Sequence, residues 1–129
     1  YAGNVSEGSG QNLFLVRDGV LYTSPIAGGI LHGITRDAVT RIAADFDLDV
    51  REMEIPREML YVVDEAFFCG TAVEVTPIVT IDKFAVGAGR PGPITTRIKE
   101  RFMAIVTGRA PDTHGWLTHV PVTVAAGSK

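Results

Sequence analysis

Apolar positions along this chain follow two rhythms. Residues 12–16 form a short apolar run, and Leu21-Tyr22 follow beyond Asp18-Gly19. An Asp-Gly pair between apolar segments predicts a β-hairpin. Residues 24–29 are mostly small and include Pro25, which predicts a loop. The period then changes. Ile34, Ala38, Val39, Ile42, Ala43 and Phe46 stand 4, 5, 8, 9 and 12 positions from the first of them. That spacing is one face of a helix from about Ile34 to about Phe46. Residues 50–55 alternate and carry charge on one side, the pattern of a strand near a sheet edge. Pro56 suits the first turn of a short helix reaching Leu60. Residues 65–69 read as a buried strand ending at Gly70-Thr71, and residues 74–81, rich in β-branched side chains, as another. Residues 87–93 hold three Gly and two Pro and predict a turn segment. Ile94, Ile98, Phe102 and Ile105 mark a last amphipathic helix ending near Gly108. From Ala110 the chain reads as loop, with Trp116-Leu117 as an anchor. No repeat or linker divides the chain. Strands and helices mix, so the expected class is α/β in the broad sense (mixed α+β), in one domain.

Composition narrows the function classes. The 129 residues suffice for one domain with a real core. Hydrophobic residues at 46% and charged residues at 21% exclude a disordered chain. A net charge of −3 leaves no basic excess to hold a nucleic-acid backbone. No apolar run approaches the roughly 20 residues that span a bilayer. The sequence opens Tyr1-Ala2-Gly3-Asn4, without an initiator Met or a signal-peptide pattern, and reads as the middle of something longer. One cysteine, Cys69, excludes an internal disulfide framework and fits a reducing cytoplasm.

Three corners carry candidate chemistry. Glu7 lies in the small-residue turn Ser6-Glu7-Gly8-Ser9-Gly10 that runs into the first strand. A carboxylate beside a pyridine nitrogen keeps that nitrogen protonated; the alternative is a solvated turn residue. Gly33-Ile34-Thr35 opens the long helix. Free amides at a helix start attract phosphate, Gly33 lets the backbone approach and Thr35 adds a hydroxyl; the alternative is an N-cap and nothing more. Gly70-Thr71-Ala72 sits at the end of an apolar strand. The Thr71 hydroxyl suits a phosphate and the Thr71 and Ala72 amides a carboxylate; the alternative is a tight turn between two strands. One acid and two anion cradles suit a flat ligand with a basic ring nitrogen and a phosphate arm.

Other residues offer less. His32 reads as a surface loop residue, and His114 and His119 have no Cys or acidic cluster beside them to hold a metal. Cys69 has no base near it in sequence and reads as a small core residue. The stretch Gly87-Ala88-Gly89-Arg90-Pro91-Gly92-Pro93 lacks the Lys-Ser/Thr ending of a phosphate loop. Ser6 and Ser9 have no His/Asp order of a hydrolase.

Four segments in this order form a specific combination: Ser6-Glu7-Gly8-Ser9-Gly10-Gln11-Asn12-Leu13-Phe14, Ile30-Leu31-His32-Gly33-Ile34-Thr35-Arg36-Asp37, residues 64–77 and Gly89-Arg90-Pro91-Gly92-Pro93. Together they closely resemble the class IV pyridoxal phosphate-dependent aminotransferases, and among these the branched-chain amino acid aminotransferases. The likeness covers residues 5–117. It implies the C-terminal large domain of the fold type IV enzymes, with pyridoxal 5'-phosphate as cofactor, amino acids and 2-oxo acids as substrates, and a cytoplasmic homodimer or larger oligomer. It implies roles by position. Glu7 would bond the pyridine nitrogen and Leu31 pack on the ring. Gly33, Ile34 and Thr35 would form the phosphate cup, and Thr71 bond the phosphate. Gly70, Thr71 and Ala72 would meet the substrate carboxylate. Gln11 departs from a Glu common in the family, and His32 from a Pro or Glu.

The resemblance also implies an N-terminal domain that carries the Schiff-base lysine, a phosphate-binding arginine and a tyrosine upstream of the Glu7 segment. Lys83, Lys99 and Lys129 match no such position. No catalytic residue is therefore assigned within the chain, which reads alone as inactive. D-amino acid aminotransferases, R-selective amine aminotransferases and aminodeoxychorismate lyase share the scaffold. Outside that class, a non-catalytic domain that binds a phosphorylated ligand or a partner, or a structural module with an incidental anion site, are the readings that compete.

Overall fold

Asp18 and Gly19 adopt positive φ values of 52° and 78°. That is the two-residue turn whose twist matches its flanking strands, and it folds the hairpin the Asp-Gly pair predicts. The computed structural model describes residues 11–25, 33–70 and 74–115 in full, and the backbone of residues 4, 5, 7 and 8. In chain order the elements are β1 (Asn4–Val5), β2 (Glu7–Gly8), β3 (Gln11–Arg17), β4 (Val20–Thr23), α1 (Ile34–Asp45), β5 (Val50–Glu52), β6 (Ile55–Pro56) and a 3₁₀ turn (Arg57–Tyr61). They continue with β7 (Glu65–Gly70), β8 (Glu74–Ile78), β9 (Thr80–Ile81), β10 (Phe84–Ala85) and α2 (Pro93–Val106).

The main sheet has the order β5-β4-β3-β7-β8, with β2 also paired to β3. Its pairs are antiparallel except β4 with β5. That parallel pair needs a crossover, and α1 supplies it. β3 is buried along both faces. Phe14 and Val16 pack with Phe67, Cys69 and Val75 against Ala38, Val39, Ile42 and Ala43 of α1 and Ile98, Phe102 and Ile105 of α2. The Phe14 and Phe67 rings stack with centroids 5.2 Å apart and planes 6° from parallel. Leu13, Leu15 and Ala66 face the other way and pack with Ile55, Val63 and Val86. The sheet thus has helices on one side and a layer of short strands and turns on the other, as the mixed class requires.

Four details differ from the sequence pattern. Ile34 is 85% exposed, not part of the core stripe. It is the first helical residue, and helix side chains lean toward the N-terminus, so it projects past the packed turns. Residues 50–55 do not form one strand: β5 pairs with β4, while Ile55 pairs with Val5 in a separate two-stranded ribbon. Pro56 closes that ribbon, and a 3₁₀ turn rather than an α-helix follows. Residues 74–81 also divide, since β9 leaves β8 to pair with β10. Pro77 stands on β8, at the sheet edge, where a missing amide donor is tolerated. Trp116 and Leu117 lie outside the described residues.

Candidate functional site

The β4–α1–β5 crossover fixes where the helix begins. β4, β5 and β7 run in one direction and finish at the same end of the sheet, where β3 starts. The N-terminus of α1 comes to that same end. A Cβ on Gly33 would lie 2.5 Å from Oδ1 of Asn12 and 3.6 Å from Cβ of Arg36. Glycine is therefore what allows the helix start to sit against β3. Sheet ends of this kind, with a helix N-terminus beside them, are where α/β proteins hold anionic ligands.

Backbone register brings the other corners to the same place. Glu7 pairs with Asn12, Asn12 with Cys69, and Cys69 with Val75, one row across the sheet. Gly70 follows Cys69 and stands opposite Glu74, so residues 71–73 join two antiparallel strands. Glu7, Gly33 and Gly70, far apart in sequence, thus converge around Asn12. Thr35 is buried in the first turn of α1, and Ile34 beside it is open. Leu31, Thr71, Ala72 and His32 lie outside the described residues.

The two helices start alike. Both begin after a glycine that offers no side-chain cap, Gly33 for α1 and Gly92 for α2. At α2, Glu65 of β7 fills the gap. Its Oε1 accepts from the Thr95 amide at 2.7 Å and its Oε2 from the Ile94 amide at 3.1 Å. That helix end is neutralised from within, and the turn segment before it serves this contact. Gly33 gives α1 no side chain to cap its first amides, and a helix start carries partial positive charge.

Arg36 adds to that charge. Nothing in the sequence pattern singles it out, although a cation in the first turn of a helix opposes the dipole and is in itself a signal. Its side chain is buried. Nη2 donates to the Ser24 carbonyl at 3.1 Å and lies 3.3 Å from Oε2 of Glu52, which is half exposed. Among the described residues its Nε has no acceptor. Cys69 is fully buried. Burial pushes its thiol from 9.0 up to about 12, against a smaller opposing pull from the Arg36 charge. Cys69 is thus a core residue, as its sequence context predicts.

The remaining candidates stand elsewhere. Lys83 is exposed in the turn between β9 and β10, and Lys99 is exposed on α2. Lys99 lines a hollow of about 370 Å³ with Pro77, Pro91, Thr96, Glu100, Met103 and Arg109, none of which belongs to the three corners. His114 meets Asp45, with Nε2 2.7 Å from Oδ2. Among the described residues no group of three or more potential ligands is placed to hold a metal. None of their helices is long and apolar enough to cross a membrane.

Known proteins share this sequence and shape. The family model for amino-transferase class IV matches residues 1–81. The branched-chain-amino-acid aminotransferase of Escherichia coli (strain K12) is 48% identical over 118 residues, which are 92% of this chain and 38% of that protein. A probable branched-chain-amino-acid aminotransferase of Aquifex aeolicus is 43% identical over 119 residues. Among solved structures, the Escherichia coli branched-chain amino acid aminotransferase superposes with a TM-score of 0.87 at 47% identity, covering 92% of this chain and 40% of that one. The T.th. branched-chain amino acid aminotransferase, complexed with N-(5'-phosphopyridoxyl)-L-glutamate, superposes with a TM-score of 0.88 at 48% identity, covering 93% and 40%. The chain spans about two fifths of the length of these relatives. The fold is that of the fold type IV enzymes, and the chain belongs to the class IV aminotransferases.

Proposed function

We propose that this chain is the C-terminal, cofactor-binding part of a pyridoxal phosphate-dependent aminotransferase that moves an amino group from a branched-chain amino acid to a 2-oxo acid. The observation that carries the reading is the convergence of Glu7, Gly33 and Gly70 around Asn12 at one sheet end. The named relatives support the same reaction.

The described residues fit the cofactor's phosphate. The N-cap of α1 is Gly33, with no side chain to bond the first amides, and a Cβ there would intrude on Asn12. Gly33, Ile34, Thr35 and Thr71 would hold the phosphate, Leu31 the ring face, and Glu7 the ring nitrogen. Bound there, pyridoxal phosphate supplies an electron sink for the carbon that exchanges its amino group. Glu7 serves this by holding a proton at the ring nitrogen, because a neighbouring carboxylate favours the cationic form. The Thr71 and Ala72 amides, with Gly70, orient the substrate carboxylate. A lysine outside these residues would hold the cofactor and move the substrate's α-proton. The intact protein would be a cytoplasmic homodimer or larger oligomer.

The test uses the full-length enzyme with L-leucine, D-alanine and R-1-phenylethylamine as alternative donors to a 2-oxo acid. Transfer from L-leucine, by a protein that is yellow with bound cofactor, is expected. Transfer from D-alanine or the amine alone moves the chain to another specificity on the same scaffold. A preparation that stays colourless after pyridoxal phosphate is added overturns the reading.

A further inference from the structure

Arg36 is costly as it stands. A guanidinium is a permanent cation with five donors to satisfy, and this one is only 3% exposed. Its carboxylate partner is half in solvent, so the pair's attraction is partly screened. Among the described residues its Nε proton meets no acceptor. It also occupies the third position of α1, where the helix dipole repels a cation. These penalties add at one point, and that point is the helix start which the proposed function assigns to a phosphate. An anion there relieves them together. It opposes the buried charge and also satisfies the helix end.

We infer that Arg36 is a positioning residue for phosphate recognition: its buried, under-neutralised guanidinium supplies fixed positive charge behind the α1 amides, and Glu52 moderates it. The inference rests on the reading of α1 as a phosphate cup. Arg36 ties α1 to the end of β4 through the Ser24 carbonyl and to the end of β5 through Glu52. The cup is thereby anchored to both strands of the crossover. The Arg36 charge is felt at Cys69, on the row that also holds Asn12 and Glu7. It therefore reaches the sheet end where the three corners meet.

The experiment measures the dissociation constant of pyridoxal phosphate, and the rise in Tm that pyridoxal phosphate or inorganic phosphate produces, in the full-length enzyme and its variants. Arg36→Met is expected to weaken cofactor binding about tenfold, the scale of one partly screened charge. It should shrink the ligand-induced rise in Tm while sparing the Tm of the cofactor-free protein. Arg36→Lys, which keeps the charge, should retain most of the affinity. Glu52→Gln removes the moderating carboxylate from a half-exposed site, so it decides the matter even if Arg36→Met does not fold. It is expected to tighten binding several-fold. Equal affinity in Arg36→Met, an unchanged ligand-induced rise, or unchanged or weaker binding in Glu52→Gln overturns the inference and leaves the proposed function standing. A wild-type enzyme that takes up no pyridoxal phosphate overturns both.

Discussion

Glu65 reaches from the first residue of β7 to the Thr95 amide, 30 positions further along the chain and 2.7 Å away. Its second oxygen takes the Ile94 amide at 3.1 Å. A carboxylate that accepts two amides at a helix start is favoured by charge-assisted hydrogen bonds and by the dipole together. The contact fixes where α2 begins and how it lies on the sheet. It also removes that helix end from the candidates for anion binding.

Glu65→Ala should therefore lower stability by about 2 kcal/mol, the scale of a lost cap whose partners stay buried. Glu65→Gln keeps an acceptor and should cost about half as much. Urea denaturation followed by circular dichroism reads both. A loss below a few tenths of a kcal/mol in Glu65→Ala means that water replaces the carboxylate at no cost.

Gly92→Ala tests the same contact from the other side. Its Cβ would come within 2.1 Å of Cδ of Glu65, too close to persist, so the carboxylate has to leave the amides. The expected cost is about 1–3 kcal/mol. Because both changes break one contact, Gly92→Ala should cost much less in a Glu65→Ala background. Additive effects across the double-mutant cycle exclude the shared cause.

Thr95 offers the opposite sign. Its hydroxyl is buried and among the described residues has no hydrogen-bond partner. Thr95→Val keeps the branched shape and removes an unsatisfied polar group, while the backbone amide still donates to Glu65. Stability should rise by up to about 1 kcal/mol. A lower Tm shows that the hydroxyl has a partner in solution.

What was legible in the sequence follows from the range of each interaction. Asp18-Gly19 specifies its turn within four residues, and the stripes Ala38, Val39, Ile42 and Ile98, Phe102, Ile105 specify helices within a few turns. The split of residues 50–55 depends on Val5, some fifty positions upstream, which no local period encodes. Glu65 reads as a strand residue because its partners Ile94 and Thr95 lie beyond any local window. Of the candidate site, the place of Gly33 at the start of α1 was legible, from the helical period that opens at Ile34. Arg36 was not, since its burial depends on the ends of β4 and β5 rather than on its own helix.

Gly33→Ala should damage the cup more than the fold. Gly33 has φ −80° and ψ 138°, a conformation that alanine adopts without strain. The cost arises from space, because the new Cβ would lie 2.5 Å from Oδ1 of Asn12. Asn12 is buried, so either its amide or the start of α1 has to move. Stability should fall by about 1–2 kcal/mol. Pyridoxal phosphate binding to the full-length enzyme should weaken about tenfold or more, because displaced amides no longer converge on one phosphate. A cofactor titration that matches wild type would show that Asn12 yields without moving the helix.

Cys69 gives a prediction whose sign depends on pH. Its thiol is fully buried, and burial raises its pKa from 9.0 to about 12. In the folded state the neutral thiol therefore persists where the unfolded chain would already be ionised. This contribution to stability is fully present below pH 9 and is lost as pH rises from 9 toward about 12. Over that window the wild-type protein should lose about 1.4 kcal/mol per pH unit relative to Cys69→Ala, which has no thiol to ionise. Measuring urea midpoints of the two proteins at pH 8 and about pH 10 reads the difference directly, provided that both unfold reversibly. The native thiol should also resist iodoacetamide at pH 8 and react once urea unfolds the chain, because the thiolate is the nucleophile. Rapid alkylation of the folded protein, or parallel alkaline losses in wild type and Cys69→Ala, would place Cys69 in contact with solvent and remove it from the row that links Asn12 to Val75.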